Sequence, residues 1–212
     1  MDLHQVYKKL LKQYGPQDWW PGESAFEIMV GAVLTQNTAW ANVEKAITNL
    51  KQAEALTPEA IVATHHNRLA KWLRPSGYFN IKTKRLKNFC HWYLQQGAHG
   101  SLSKIETTEL RTQLLSVNGV GPETADDILL YAFDRPVFVI DAYTKRLFSR
   151  LGHINGEEDY ETLRTLFEHK LKTDVALFNE YHALIVNHGK NVCKTKPQCE
   201  QCCLSATCRF EI

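Results

Sequence analysis

Five of the six cysteines crowd the C-terminal end of the chain, four of them with the spacing Cys193-x5-Cys199-x2-Cys202-x5-Cys208. Thiolates this close together can enclose a Zn²⁺ ion or a [4Fe–4S] cluster, and the spacing leaves both open. Cys203 competes with Cys202 as a ligand, whereas Cys90 is far away in the chain and reads as a core thiol. A second centre is Asp141, which closes the apolar run Val139-Ile140 and precedes Tyr143, Leu147 and Phe148. There it caps a helix, and a carboxylate at a helix N-terminus stays ionised at neutral pH. An ionised carboxylate is what cleavage of a glycosidic bond needs beside a developing oxocarbenium ion. A third is the turn Val117-Asn118-Gly119-Val120-Gly121. Its glycines let the backbone turn tightly and approach another molecule, and N–H groups at the following helix start suit a phosphate oxygen. An ordinary helix–helix turn reads the same way.

Aromatic and basic residues supply further candidates. Trp19 and Trp20 are adjacent, so both cannot face one helical core stripe; with Pro21 and Trp40 they suit either core packing or a stacking pocket for an extruded base. Residues 71–87 contain Lys71, Arg74, Lys82, Lys84, Arg85 and Lys87 and no acid, with Tyr78 and Phe79 on a Pro/Gly loop inside the stretch. That pattern suits phosphate contacts and a wedge into the base stack, or a solvated basic helix. Lys190, Lys194, Lys196 and Arg209 around the cysteines leave the same two options.

The elements that position these residues are helical. Ser24 with Glu27 forms a capping box ahead of Phe26, Met29, Val30, Val33 and Leu34. Thr38 is a candidate cap for the helix with Val43, Ala46, Ile47 and Leu50; Thr57-Pro58-Glu59 is a helix start; Thr107 caps a helix holding Leu110, Leu114 and Leu115; Pro122 opens a helix holding Ala125, Ile128, Leu129 and Ala132. Two longer helices are predicted over 159–171 and 174–188, with Gly189 ending the second. Residues 137–140 look extended but are too short and isolated for a sheet, so the fold class is all-α.

The segment Leu115-Ser116-Val117-Asn118-Gly119-Val120-Gly121-Pro122-Glu123-Thr124-Ala125, followed by Val139-Ile140-Asp141, resembles the signature of the endonuclease III-like helix-hairpin-helix (HhH-GPD) DNA glycosylases. The likeness runs over about residues 19–208. It implies that Asp141 is the catalytic aspartate and that Asn118, Gly119, Val120 and Gly121 grip backbone phosphate. It also implies a [4Fe–4S] cluster on Cys193, Cys199, Cys202 and Cys208, with a first interval one residue shorter than the family's. Bifunctional members carry a lysine two residues after the last hairpin glycine, and its amine attacks the sugar. Glu123 stands there, and a carboxylate cannot form an imine, although it also complements a helix dipole. Trp19-Trp20-Pro21, residues 31–38, Arg74-Pro75-Ser76-Gly77-Tyr78-Phe79-Asn80 and Gly121-Pro122-Glu123-Thr124-Ala125-Asp126 are similar to the 3-methyladenine DNA glycosylase branch, which also has glutamate for that lysine. By that resemblance Trp19, Trp20, Pro21, Trp40 and Glu123 line the base pocket. By family resemblance Gln36 or Asn37 fills the gap left by the flipped base; the basic residues bracketing the aromatic loop make Tyr78 or Phe79 the candidate wedge and Lys82 and Lys84 candidate phosphate contacts. The cysteine loop is a departure from the branch's best-known member.

Two helical lobes are expected, 21–134 with the hairpin and 1–20 plus 135–212 with Asp141 and the cysteines, with double-stranded DNA across the cleft. The 212 residues are 44% apolar and carry a net charge of only +2, so any nucleic-acid signal lies in local charge. No apolar run reaches the ~18–20 residues of a membrane span, and the N-terminus lacks a secretory pattern. A cytoplasmic monomer, associated with the nucleoid if bacterial, is the expectation. The predicted activity is monofunctional removal of an alkylated purine. The competing readings are a glycosylase with lyase activity through another amine such as Lys145, and a DNA-binding module without catalysis. Asp141 argues against the last, because gripping phosphate does not require it.

Overall fold

The computed structural model describes residues 1–20 and 22–210, and among them there are helices and no strand. In chain order the α-helices are α1 (Leu3–Tyr14), α2 (Ala25–Leu34), α3 (Trp40–Gln52), α4 (Pro58–Ala63), α5 (His66–Leu73) and α6 (Phe79–Gln95). They continue with α7 (Ala98–Leu102), α8 (Thr107–Ser116), α9 (Pro122–Ala132), α10 (Ala142–Arg150), α11 (Tyr160–Leu171) and α12 (Val175–Asn191). Side-chain caps start many of them: Ser24, Thr57, Asp141, Asp159 and Asp174 each accept from a backbone N–H three residues on. No helix of the described residues is long and apolar enough to cross a membrane.

The chain divides into two compact units, Pro21–Arg135 and Met1–Trp20 with Pro136–Ile212. In the first, Met29, Val30, Val33 and Leu34 of α2 and Ile128 and Leu129 of α9 are buried, as are Leu86 and Phe89 of α6. Phe89 and Tyr93 stack at 5.8 Å between centroids. A buried bidentate pair joins α8 to α9, with Arg111 Nε donating to Asp126 Oδ1 at 2.7 Å and Nη2 to Oδ2 at 3.1 Å. In the second unit an aromatic cluster forms the core: Phe138 stacks on Phe167 at 4.7 Å, and Phe148 meets Phe167 edge-on at 4.8 Å. Tyr181 of α12 donates its hydroxyl to Leu3 O at 2.7 Å and so ties α1 to that core. Val137, Phe138, Val139 and Ile140 are all buried and lead straight to Asp141.

Three expected helix boundaries differ. Thr38 does not cap α3; Ala39 is the cap residue, and the Thr38 hydroxyl instead donates to Ser76 O at 2.5 Å. Thr107 is the first helical residue of α8, after Glu106. Gly189 does not end α12, which runs on to Asn191. Its role is spacing: a Cβ there would lie 2.6 Å from Tyr143 Cδ1 and 2.9 Å from Tyr143 Cβ, so glycine admits α10 against α12. Gly189→Ala is expected to lower stability by about 1–3 kcal/mol through overpacking. Gly100→Ala in α7, where nothing lies within 4 Å of the added Cβ, is expected to be neutral or slightly stabilising. Thermal midpoints of the two variants test the contrast.

Candidate functional site

Asp141 is the N-cap of α10, and its geometry follows from that. Its Oδ1 accepts from the Thr144 backbone N–H at 2.7 Å and from the Thr144 hydroxyl at 2.8 Å. His182 of α12 places Nε2 3.6 Å from Oδ2. Burial pushes the carboxyl up, but His182 and the two Thr144 donors outweigh it and hold Asp141 below the usual aspartate range. The group is therefore an anion at neutral pH, as cation stabilisation requires. Lys145, the alternative amine, donates its Nζ to Glu158 O at 3.4 Å.

The far end of α10 meets the cysteines. Cys193, Cys199, Cys202 and Cys208 line one pocket together with Leu147, Arg150 and other side chains. Cys203 is not among its lining residues. Arg150 Nη1 donates to Cys193 Sγ at 3.2 Å and to Lys194 O at 2.6 Å, and Nη2 donates to Thr195 O at 3.0 Å. Arg146, one turn earlier, donates to Cys193 O at 2.8 Å and Gly189 O at 2.9 Å. His188 is fully buried between Tyr14, whose hydroxyl is 2.7 Å from Nδ1, and Cys202, whose Sγ is 3.5 Å from Nε2. Burial pushes His188 down to about 4, so it is neutral; burial and the neighbouring thiols push Tyr14 up to about 12, so it keeps its proton. With Tyr14 donating to Nδ1, Nε2 carries the imidazole hydrogen and directs it at Cys202. Sequence reasoning did not single out His182, His188, Arg146 or Arg150. The i, i+4 spacing of the two arginines after Asp141 was the one available signal.

Trp19 and Trp20, in the same unit, are half-buried and meet edge to face at 6.0 Å. Pro21 lies outside the described residues. In the other unit Trp40 opens α3, half-buried.

The hairpin is the α8–α9 turn, held from its carbonyl side. Gln36 Nε2 donates to Gly119 O at 3.0 Å and Thr124 Oγ1 at 2.9 Å, while Arg85 donates to Gln36 Oε1. Asn88 donates to Asn118 O at 3.1 Å. Gly119 has φ +104° and a Cβ there would lie 2.3 Å from Arg85 Cγ, so both backbone and space require glycine. Gly121 has nothing within 4 Å of a Cβ position, and as N-cap of α9 it makes no side-chain cap bond. Val120 is buried and Asn118 exposed. Glu123 is exposed in the first turn of α9.

The candidate wedge and phosphate residues separate. Tyr78 is 71% exposed with φ +43°, Asn37 is exposed with φ +53°, and Phe79 is half-buried. Gln36 is tied to the hairpin in this state. Lys84 points to solvent, as do Lys71 and Arg74. Lys82 does not: it is 1% exposed, and the expectation of a phosphate contact there is corrected. It lies one and two turns before Leu86 and Phe89, on the inward stripe of α6. Its Nζ donates to Leu34 O at 2.8 Å, Thr38 Oγ1 at 2.6 Å and Ser76 O at 2.6 Å. Burial, with the nearby Arg85, pushes it down to about 8. This amine clasps the end of α2 and the loop that carries Gln36 and Asn37.

Comparison with known proteins places the chain. The profile of the HhH-GPD superfamily base excision DNA repair proteins matches residues 30–173. A Methanocaldococcus jannaschii protein, provisionally named a DNA repair glycosylase, is 46% identical over 97% of this chain and 95% of its own length. Endonuclease III of Sulfolobus acidocaldarius is 26% identical over 99% of this chain and 97% of its own. Among solved structures, the 3-methyladenine DNA glycosylase MagIII of H. pylori, bound to 1,N6-ethenoadenine, has a TM-score of 0.76 at 31% identity, covering 90% of this chain and 98% of that one. An endonuclease III–DNA complex shares the fold, with a TM-score of 0.83 at 20% identity over 98% of this chain and 94% of its own.

The clasp gives a direct test. Lys82→Met takes the donor from Leu34 O and Thr38 Oγ1, while Ser76 O keeps the Thr38 hydroxyl, and is expected to destabilise by about 2–4 kcal/mol, at ~1–3 kcal/mol per unsatisfied group with partial relaxation. Lys84→Met, at an exposed position, is expected to stay within about 0.5 kcal/mol. Thermal or denaturant midpoints distinguish the two.

Proposed function

Since the chain belongs to the HhH-GPD superfamily and is a DNA repair glycosylase of it, we propose that it is a monofunctional DNA N-glycosylase that removes alkylated purines and leaves the abasic site intact. The observation that carries this reading is Glu123, exposed on the first turn of α9, two residues beyond Gly121 where lyase members of the family place an amine. The substrate class is supported by the 31% identity to an enzyme described as a 3-methyladenine DNA glycosylase. The chemistry is coherent with it. A methylated purine is a cation with a weakened glycosidic bond; on cleavage the bonding electrons leave with the base, and Asp141 faces the positive charge left on the sugar. Water then adds at C1′ and gives up a proton. Trp19, Trp20 and Trp40 are the candidates for stacking on the cationic base, at roughly 0.5–2 kcal/mol per aromatic face. The N-terminus of α9, with no side-chain cap, and the open space over Gly121 suit a backbone phosphate. Tyr78 and Asn37, both exposed, suit the wedge and the gap in the stack.

The residues of the cysteine cavity fit a [4Fe–4S] cluster held by Cys193, Cys199, Cys202 and Cys208. Cys193, Cys199, Cys202 and Cys208 line one pocket, and Cys203 is outside its lining. The guanidinium of Arg150 donates to Cys193 Sγ, a cationic donor that favours a thiolate there, and His188 lies against Cys202. Bound there, the cluster supplies iron–thiolate cross-links to a loop that has little other core.

Asp141→Asn is expected to abolish base release in single turnover yet retain binding to an abasic-analogue duplex. Borohydride is expected to trap little or no covalent adduct with the wild-type protein, and strand breaks should need alkali or heat. Efficient trapping overturns the monofunctional reading in favour of an amine such as Lys145. Release from a panel of single-lesion duplexes tests the substrate class, and Trp40→Ala should slow release more than it weakens abasic-duplex binding. For the cluster, a brown protein absorbing near roughly 400 nm is expected. Iron content should fall in Cys202→Ser and hold in Cys203→Ser; a colourless anaerobic preparation with one zinc per chain replaces the cluster with an ion.

A further inference from the structure

Half of the Asp141 carboxylate is already committed. Oδ1 takes both donors of Thr144, at 2.7 and 2.8 Å, which is what an N-cap must do. Oδ2 is therefore the oxygen available to a developing sugar cation, and His182 Nε2 faces it at 3.6 Å. His182 is only 4% exposed, in the middle of α12, flanked in sequence by the fully buried Tyr181 and Ala183. A buried imidazole on an apolar stretch is costly to desolvate unless its nitrogens meet polar groups, and packing alone is better served by leucine. Its position is also fixed. Asp174 caps α12, Tyr181 donates to Leu3 O, and Gly189 lets α12 pack closely against Tyr143 of α10, the helix that Asp141 begins.

We propose that His182 is the positioning residue of Asp141: its Nε2–H fixes the plane of the carboxylate and holds Oδ2 as an aimed anion. The inference rests on the reading of Asp141 as the group that stabilises the sugar cation. With Thr144 alone the carboxylate is pinned at one oxygen and free to rotate about its own axis. A second donor from a different helix removes that freedom before substrate arrives, so no reorganisation is needed as charge develops. The contact is longer than a hydrogen bond in the free protein, as catalytic contacts commonly are before substrate is bound. His182 does not itself touch the sugar or the base in this arrangement; it acts through Asp141.

The test compares two abasic-analogue duplexes, one with a cationic pyrrolidine in place of the sugar and one with neutral tetrahydrofuran. The ratio of the two affinities reads how well an anion is presented to a sugar cation, and a change in packing alone moves both affinities together. Wild type should prefer the cationic duplex, and Asp141→Asn should lose the preference. His182→Ala should reduce it by roughly tenfold, as loss of a charge-assisted hydrogen bond implies, with tetrahydrofuran affinity unchanged and single-turnover release slowed in step. His182→Gln, which returns an N–H donor, should restore most of the preference. His182→Phe fills the volume without a donor and should behave as alanine does, which keeps the test decisive if alanine folds poorly. If Asp141→Asn loses the preference while His182→Ala and His182→Phe keep it, His182 is packing and the proposal falls alone. A preference that survives in Asp141→Asn removes the reading of Asp141 and the proposal with it.

Discussion

Everything at the candidate chemical centre depends on how α10 is held at its two ends. The carboxylate that begins the helix satisfies its orphan N–H groups and is the same group that the proposed reaction uses, so the cap cannot be traded for serine or threonine without losing the charge. Nine residues later the helix ends among the thiols, where Arg150 bonds Cys193 and Phe210 stacks on the guanidinium at 4.3 Å. Arg146 adds two carbonyl acceptors from the end of α12 and from Cys193. A short helix has little stability of its own. Its direction is set by these contacts and by the buried Leu147 and Phe148, so a loop with no catalytic group still bears on where Asp141 points.

The hairpin unit solves a different problem. A turn proposed to present its backbone to a phosphate cannot be stiffened from the side that would bind. Gln36, Arg85 and Asn88 hold it from the carbonyl side instead, and Lys82 in turn anchors the loop that carries Gln36. The Arg111–Asp126 pair fixes α9 against α8 from within. Only some of these contacts are buried: Asn88 meets Asn118 at the surface, whereas Lys82 and Asp126 lie inside. Their value is that each has a direction, and a turn with two glycines needs its direction imposed from outside.

The parts of this arrangement that are local in sequence were legible there. Ser24, Thr57, Asp141, Asp159 and Asp174 cap helices because the signal and its target are three residues apart. The hairpin and the cysteine spacing are likewise short-range patterns. Lys82 was misread because its charge was weighed and its phase was not: at one and two turns before Leu86 and Phe89 it had to face inward. Gly189 was read as a helix stop because its other possible role, making room for Tyr143, is set by a residue forty-six positions earlier in the chain. His182 and His188 stand on one helix and look ordinary there; their partners, Asp141, Tyr14 and Cys202, come from three distant segments. The family's intervals Cys199-x2-Cys202-x5-Cys208 favour Cys202 over Cys203, and the turn of the loop puts the first on the pocket and the second off it.

The charge pattern changes meaning once burial is known. Residues 71–87 carry six basic side chains, but Lys82 is inside, Arg85 is bonded to Gln36, and Lys87 donates to Val62 O at 3.0 Å. Three of the six, Lys71, Arg74 and Lys84, point to solvent beside the exposed Tyr78. With a net charge of +2, the chain has little long-range attraction for a polyanion. On the proposed reading, affinity for DNA leans on oriented dipoles at short range, the α9 N-terminus and the glycine turn, which act only when the backbone phosphate is already close. Such a protein should be slow to steer towards DNA and weakly retained on undamaged duplex. For the glycosylase proposed, weak retention on undamaged duplex would be an advantage, and turning Lys82 inward adds to it.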